Sequence, residues 1–351
     1  MGTKTTITIH GWQSISYFSD LKSICWFLEP ELAKQIRRLH KVVGNAETKD
    51  RHIVVGTGSS QLYLAALYAL SLAEATEPIS VVSQAPYYSS YPAMTDYQKS
   101  GLHKWAGDSR SFTKEGPYIE LVTSPNNPDG YTRHAIVNRT GGSLIHDLAY
   151  YWPHYTPISS PADNDLSLFT VSKCTGHAGM RIGWALVKDP QVAKRMTKFV
   201  ELNSIGVSKD SQIRAAKVLV AVSDSCDEAG SLGSESFFEV SYRQMEERWQ
   251  LLREAVSSSK RFSLPEFPPA FCNFHSHNLQ PQPAFAWLKC EDVEDCELFL
   301  RQHNILTRAG RHFGDDSRYV RVSMLDRDDN FLLFVRRLSM ITTAAEPGVE
   351  K

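Results

Sequence analysis

Apolar positions along the chain switch between helical and strand-like spacing. Between Pro30 and Gly44 they recur every three or four residues, which predicts a helix that packs against a core. Short apolar runs rich in β-branched residues then alternate with helical stretches, at 53–55, 79–83, 118–123, 143–146, 166–171 and 182–187. This succession predicts an α/β fold with a mostly parallel sheet covered by helices on both faces.

The pattern changes after these strands. Helices are predicted at 190–202 and 209–226, followed by a segment at 227–236 that is rich in Gly, Ser and acidic residues. A long amphipathic helix with one apolar stripe comes next, carrying Phe238, Tyr242, Met245, Trp249 and Leu252. We therefore predict an N-terminal segment at 1–28, a large domain at 29–232 and a smaller α+β domain at 233–351.

Composition narrows the class of partner. The chain has 351 residues, 42% of them hydrophobic, with 38 basic and 39 acidic side chains. Near-neutral charge gives no reason to expect nucleic acid or a membrane surface, and favours small charged metabolites. The longest apolar stretch, at 62–73, is too short to span a bilayer, and the alternating start Thr3–Ile9 lacks the apolar core of a signal peptide. The expected location of the chain as given is the cytoplasm.

Cysteine and histidine spacing indicates no metal site. The six cysteines are scattered without a CxxC pair, so neither a zinc site nor a disulfide framework is expected. His275 and His277 form an HxH pair that has no third ligand nearby in the sequence.

The most informative string is SKCTGHAGMR, at 172–181. It places Lys173 directly after Ser172 in a glycine-punctuated turn, with Arg181 eight residues further on. A lysine that forms an imine with an aldehyde cofactor needs such a turn, and a nearby guanidinium can bind the phosphate of that cofactor. A solvated surface lysine is the alternative for Lys173 alone, but its position after other motifs at strand ends favours a pyridoxal 5′-phosphate enzyme.

Those other motifs each have a structural alternative. The loop GTGSSQ at 56–61 precedes a helix and suits a phosphate, or is a plain N-cap. Tyr88 in PYY could stack on a heteroaromatic ring, and Asn127 in the turn SPNNPDG could donate to a phenolate oxygen. Asp147 ends an apolar strand, where a protonated pyridine nitrogen would compensate its charge, and Tyr150 could share the phenolate with the asparagine. Arg321 lies inside an apolar strand and either binds a substrate α-carboxylate or forms an ion pair.

Several of these strings together resemble one family. GTGSSQL, PYYSSY, TSPNNPDG, HDLAYYWPHYTPI, FTVSKCTGHAGMRIGWALVKD and YVRVSML look like the plant tryptophan aminotransferase family, which is related to the alliinases and belongs to the fold-type I pyridoxal-phosphate enzymes. The likeness runs from about residue 7 to the last helix.

The resemblance implies a role for each candidate residue. Lys173 would carry the cofactor and shuttle the proton, Asp147 would pair with the pyridine nitrogen, and Tyr88 would stack on the ring. Asn127 and Tyr150 would bind the phenolate oxygen, and Arg321 the substrate carboxylate. The phosphate would be surrounded by Ser59, Ser60, Gln61, Ser172 and Arg181, together with Tyr17 from the neighbouring subunit of a homodimer.

The implied reaction is transfer of the amino group of an aromatic amino acid, above all tryptophan, to a 2-oxo acid such as pyruvate. Indole-3-pyruvate, on the route to auxin, would be the product. An alliinase-type C–S lyase is the first alternative. The second alternative is a chain that binds cofactor but has little activity. Members of the family usually have an N-terminal arm with a Gly-Asp-Pro segment, and the chain as given starts after that point.

Overall fold

A seven-stranded sheet organises the larger part of the computed structural model, which describes residues 6–71, 77–229 and 235–341. Its strands are β1 (His52–Gly56), β2 (Ile79–Ser83), β3 (His103–Asp108), β4 (Tyr118–Thr123), β5 (Gly142–Asp147), β6 (Leu166–Thr170) and β7 (Gly183–Val187). Their order is β1-β7-β6-β5-β4-β2-β3. β7 runs antiparallel to both of its neighbours, and the other pairs are parallel, which confirms the predicted mostly parallel sheet.

Helices pack on this sheet and on one another. They are α1 (Pro30–Val43), α2 (Gly58–Leu70), α3 (Tyr91–Tyr97), α4 (Val171–Cys174), α5 (Pro190–Ser204) and α6 (Lys209–Asp227). α2 packs on β1, β6, β7 and α5, whereas α1 packs on α6. α1 ends where the sequence predicts, because Gly44 adopts φ +72°, a backbone conformation that glycine reaches without a steric penalty.

The C-terminal part contains a smaller antiparallel sheet. It begins with the predicted amphipathic helix, α7 (Phe237–Ser259), whose apolar stripe is buried. The elements that follow are β8 (Phe262–Ser263), β9 (Ala270–Cys272), β10 (His277–Leu279), β11 (Phe285–Cys290), α8 (Cys296–Gln302), β12 (Arg308–Ala309), β13 (Tyr319–Ser323) and α9 (Asp328–Ser339). The smaller sheet has the order β12-β13-β11-β8, and β9 and β10 form a separate hairpin.

Some predictions lie outside the described residues or remain untested. The predicted boundary between 232 and 233 and the end of the 62–73 stretch both fall on residues that the structure does not describe. The domain limits therefore stay a prediction. Among the helices in the described ranges, none combines the length and the hydropathy that a bilayer-spanning segment requires.

The structure differs from the sequence analysis in three places. β3 was not predicted, because HKWAGD lacks an apolar run and buries little of its length. Residues 6–9 form no strand, although polar and apolar positions alternate there as they do in strands. The expectation that the cysteines form no disulfide is wrong for one pair: Cys290, at the end of β11, is bonded to Cys296, at the start of α8. Folding brings these two fully buried cysteines together with a Cα–Cα distance of 5.6 Å, which their spacing alone did not reveal.

Candidate active site

A cavity of about 220 Å³ lies where the carboxyl ends of β4, β5 and β6 meet the N-terminus of α2. In a parallel sheet these ends lie side by side, so motifs that are far apart in sequence converge there. The predicted residues that line the cavity are Ser59, Ser60, Tyr88, Asn127, Asp147, Tyr150, Ser172, Lys173 and Arg181. Gln61, Tyr17 and Arg321 are not among its lining residues.

Lys173 is held by its backbone. Thr170 caps the short helix α4, because its Oγ1 accepts a hydrogen bond from the Ser172 N–H at 3.1 Å. The carbonyl oxygen of Lys173 accepts from the Tyr155 hydroxyl at 3.2 Å and lies 3.3 Å from His154 Nε2. The specific string WPHYTPI therefore supplies groups that fix the lysine turn, a role that sequence reasoning did not assign.

The environment of the Lys173 amine favours its neutral form. Burial lowers the pKa of Lys173, and the positive charge of Arg321 lowers it further. Its nitrogen Nζ lies 5.6 Å from the ring centres of both Tyr150 and Phe285. A neutral amine can act as a nucleophile and can accept a proton. With a lowered pKa, Lys173 can do both at a lower pH than a free lysine can.

One end of the cavity suits an anion. α2 begins at Gly58, so free backbone N–H groups of its first turn lie near Ser59 and Ser60. A Cβ on Gly58 would clash with Nη2 of Arg181, and one on Gly183 would lie 2.7 Å from the Ser59 nitrogen. Glycine at position 58 therefore lets Arg181 approach the helix start, and glycine at position 183 lets β7 do the same.

Gln61 occupies a different place from the one expected. Its Oε1 accepts from the Thr57 N–H at 2.7 Å, and its Nε2 donates to Asn203 and Ser204. These bonds use its amide to hold the loop before α2 against the end of α5, so the predicted phosphate contact stays untested.

A carboxylate stands at another side of the cavity. Asp147 ends β5, where its Oδ2 accepts from the Tyr91 hydroxyl at 2.8 Å and its Oδ1 from the Ala149 N–H at 3.2 Å. Burial raises the pKa of Asp147, whereas these two hydrogen bonds lower it. Within the described ranges it has no ion-pair partner. Tyr91 was missed, although it lies in the same PYYSSY string as the predicted Tyr88.

Asn127 connects the two sheets. Its Nδ2 donates to the Tyr150 hydroxyl oxygen at 3.0 Å, and its Oδ1 accepts from Arg321 Nη1 at 3.0 Å. Arg321 lies on β13 of the smaller sheet, so this bond joins the candidate carboxylate-binding residue to the wall of the cavity. The alternative that Arg321 forms a structural ion pair finds no acidic partner among the described residues, where its guanidinium donates to this amide.

Phe285 completes this side of the site. The guanidinium carbon of Arg321 lies 4.1 Å from its ring centre, and Lys173 Nζ lies within 5.6 Å of the same ring. Phe285 begins β11, in a strand whose apolar run gives no sign of a site. Only the folded chain brings this residue close to both Lys173 and Arg321.

The remaining candidates lie elsewhere. Tyr17 is 58% exposed and packs against Phe18 and Trp26 in the N-terminal segment. His275 lies in the turn of the β9–β10 hairpin and His277 begins β10, and no third His, Cys, Asp or Glu of the described residues completes a metal site with them. Cys174, the neighbour of Lys173, is fully buried, and burial raises the pKa of its thiol, which is typical of a packing residue and not of a nucleophile.

The residues present fit pyridoxal 5′-phosphate. Its phosphate requires an anion site, its pyridinium a carboxylate and its aldehyde an amine. The cavity provides the α2 N-terminus with Arg181, an Asp147 without a cationic partner in the described residues, and the amine of Lys173. The donor set therefore matches the cofactor group by group.

Three comparisons relate the chain to known proteins. The model of the alliinase C-terminal family, described as allinase, matches residues 1–342. Tryptophan aminotransferase-related protein 2 of Arabidopsis thaliana is 62% identical over 340 residues, which cover 96% of this chain and 77% of that protein. Alliin lyase 1 of Allium sativum is 37% identical over 93% of this chain and 68% of its own length. A Thermus thermophilus aspartate aminotransferase mutant superposes with a TM-score of 0.69 at 17% identity, over 94% of this chain and 89% of its own. This last likeness shows a fold-type I architecture.

Proposed function

Because the chain belongs to the alliinase family, whose members use pyridoxal 5′-phosphate, we propose that it is an aminotransferase acting on aromatic L-amino acids. L-Tryptophan is the proposed donor and a 2-oxo acid such as pyruvate the acceptor, which gives indole-3-pyruvate for auxin synthesis. The identity levels support this choice: three proteins named tryptophan aminotransferase-related are 55–62% identical to this chain, two others of that name are 38–39% identical, and the alliin lyases are 36–37% identical.

One observation carries the proposal: Lys173 and Arg321 both face the ring of Phe285. An amino acid whose carboxylate binds the Arg321 guanidinium would place its α-carbon beside the Lys173 amine. The lowered pKa of Lys173 increases the share of neutral amine, the form that would take the proton from that α-carbon and return a proton later in the reaction.

The other residues orient and hold charge. When bound, the cofactor supplies an electron sink for the negative charge that develops at the α-carbon. Asp147 would hold a proton on the pyridine nitrogen, and Asn127 with Tyr150 would donate to the phenolate oxygen. Tyr88 would restrict the tilt of the ring, while Ser59, Ser60, Ser172 and Arg181 would hold the phosphate.

The functional test uses the protein loaded with cofactor. Incubation with tryptophan and pyruvate should yield indole-3-pyruvate and alanine in equal amounts. Release of ammonia and pyruvate from an S-alkyl cysteine sulfoxide, without transfer from tryptophan, would instead assign the alliinase-type elimination. The observation that supports this second candidate function is the presence of alliin lyases among the relatives of the chain. Cofactor binding without either reaction would identify a chain with little activity.

We further propose a homodimer in which Tyr17 reaches the phosphate of the partner's site. Its support is the exposed aromatic and aliphatic surface of the N-terminal segment, which comprises Trp12, Ile15, Tyr17, Phe18 and Leu21. Mixing Lys173→Ala chains with Tyr17→Ala chains tests the arrangement. Hybrid dimers then contain one site that carries both substitutions and one intact site, so activity should return; mixtures that stay inactive would contradict a shared site.

The cytoplasmic location expected from the sequence stays a prediction. The buried disulfide between Cys290 and Cys296 weighs against it, since such bonds are rare in reducing compartments.

A further inference from the structure

We propose that Tyr91 is a positioning residue that fixes both the carboxylate of Asp147 and the ring of Tyr88 against the bound cofactor. The proposal rests on pyridoxal phosphate binding in the cavity described above. It does not require that tryptophan be the substrate.

Tyr91 is tied in place from both of its ends. Its backbone carbonyl accepts from the Thr95 hydroxyl at 2.7 Å, one turn further along α3. Its own hydroxyl lies 2.7 Å from Thr123 Oγ1 and donates to Asp147 Oδ2 at 2.8 Å. Since a phenol has one proton, Thr123 must be the donor of the bond that it shares with Tyr91.

The resulting chain of hydroxyls has one direction. The Thr123 hydroxyl donates to Tyr91, and the Tyr91 hydroxyl donates to Asp147. Together with the Ala149 N–H on the other oxygen, this gives each carboxylate oxygen one donor. Each oxygen keeps a further lone pair, and since Asp147 lines the cavity, its carboxylate can pair with a cation there. A charged acceptor strengthens such hydrogen bonds, so Tyr91 favours the ionised form of Asp147.

The ring of Tyr91 serves a second purpose. Tyr88 packs edge-on against it, with a ring-centre distance of 5.3 Å and an interplanar angle of 87°. Tyr88 lines the cavity, whereas Tyr91 is only 2% exposed. One buried residue therefore supports two groups. These are the ring of Tyr88, three positions before it in the chain, and the carboxylate of Asp147, at the end of β5.

The chain offers a matched control in Tyr63. This tyrosine is 3% exposed, its ring centre lies 5.2 Å from that of Tyr91, and its hydroxyl bonds to Thr95 instead of Asp147. Removing either hydroxyl removes one buried tyrosine O–H with the same loss of volume. Only the change at position 91 leaves the carboxylate without its donor.

The experiment compares Tyr91→Phe, Tyr63→Phe and Thr123→Val with the unaltered protein. Pyridoxal phosphate affinity is measured by absorbance titration, and the stability of the cofactor-free forms by thermal unfolding. We expect the Tyr91→Phe dissociation constant to rise about tenfold, as for a lost hydrogen bond to a charged group, and that of Thr123→Val about fivefold. Tyr63→Phe should bind like the unaltered protein, and Tyr91→Phe should unfold at a temperature near that of Tyr63→Phe.

Steady-state rates give an independent readout. Tyr91→Phe should lower kcat about tenfold while the KM for the amino acid stays within about twofold, because Asp147 acts on the cofactor and not on substrate binding. Equal affinities for the Tyr91 and Tyr63 variants would overturn the proposal. An unaltered protein that binds cofactor but transfers no amino group would instead overturn the proposed function, and the affinity comparison would still test Tyr91.

Discussion

The two walls of the candidate site are built in different ways. The wall proposed to bind the cofactor, called here the cofactor wall, comes from strand ends and turns of the large sheet, between Gly56 and Arg181, and its parts are adjacent because parallel strands end together. The wall proposed to bind substrate, called here the substrate wall, consists of Phe285 and Arg321 from the small antiparallel sheet, and the Asn127–Arg321 hydrogen bond links it to the first wall. If these roles hold, cofactor binding should depend on one sheet, whereas substrate binding should depend on how two sheets meet.

The largest effect is expected at Lys173, the residue of the cofactor wall that lies near Phe285. Lys173→Ala removes the amine that would bind the cofactor and move the proton, so transfer activity should fall about 10⁴-fold or more. The absorption band of the lysine-bound cofactor should disappear while circular dichroism stays unchanged. Lys188→Ala is the control, because Lys188 pairs with Asp163 and Asp165 on the surface. Retention of the band in Lys173→Ala would assign the amine to another lysine.

Arg321→Gln tests the substrate wall alone. Loss of a charge-assisted contact to a carboxylate should lower kcat/KM for the amino acid about 10²- to 10³-fold, with the cofactor dissociation constant unchanged. Arg308→Gln is a matched control, because Arg308 pairs with Arg321 across the β12–β13 ladder but is exposed. A parallel loss of cofactor affinity in Arg321→Gln would show that the two walls do not function separately.

The same division explains what could be predicted from the sequence. One short string contains Ser172, Lys173 and Arg181, and the other motifs of the cofactor wall directly follow apolar runs. The local pattern was therefore enough to predict that these motifs form one site. The strand from Tyr118 to Thr123 was predicted with the bounds that the structure shows, because it is buried along its whole length. Both belong to the cofactor wall or the sheet behind it.

What was missed depends on contacts across the fold. Phe285 sits in an unremarkable apolar strand, and Tyr91 reaches Asp147 only because α3 packs near the ends of β4 and β5. Gln61 lies inside the predicted loop but turns its amide towards α5. Side-chain direction and packing between separate elements decide these cases, and neither is encoded in local spacing.

Acid pH should weaken the packing behind the cofactor wall. His154 contacts the Lys173 carbonyl oxygen, and burial lowers its pKa from 6.5 to about 3. Below pH 6.5 the histidine takes up a proton in the unfolded chain, whereas in the folded chain it stays neutral until the pH approaches 3. The free energy of unfolding therefore falls as the pH decreases through this range. From pH 6.5 to 4 the loss from this group should reach at most about 3 kcal/mol.

His154→Gln tests this assignment by denaturant unfolding at several pH values. The variant should lose less stability on acidification than the unaltered protein, whereas the exposed His312→Gln should match the unaltered protein. Identical pH dependence in His154→Gln would place the acid sensitivity elsewhere, for example at His40, whose pKa burial lowers to about 4.

The smallest effect is expected in the sheet that carries the substrate wall. The disulfide between Cys290 and Cys296 closes a short loop at the end of β11, the strand that begins with Phe285. Replacing both cysteines with serine should lower the free energy of unfolding by about 2 kcal/mol, from loop-closure entropy in the unfolded chain. Cofactor affinity should not change, because neither residue touches the large sheet's cavity. Cys226→Ser, which alters a free cysteine, is the control. Titration of the unreduced, denatured protein should find four thiols, and finding all six would contradict the bond.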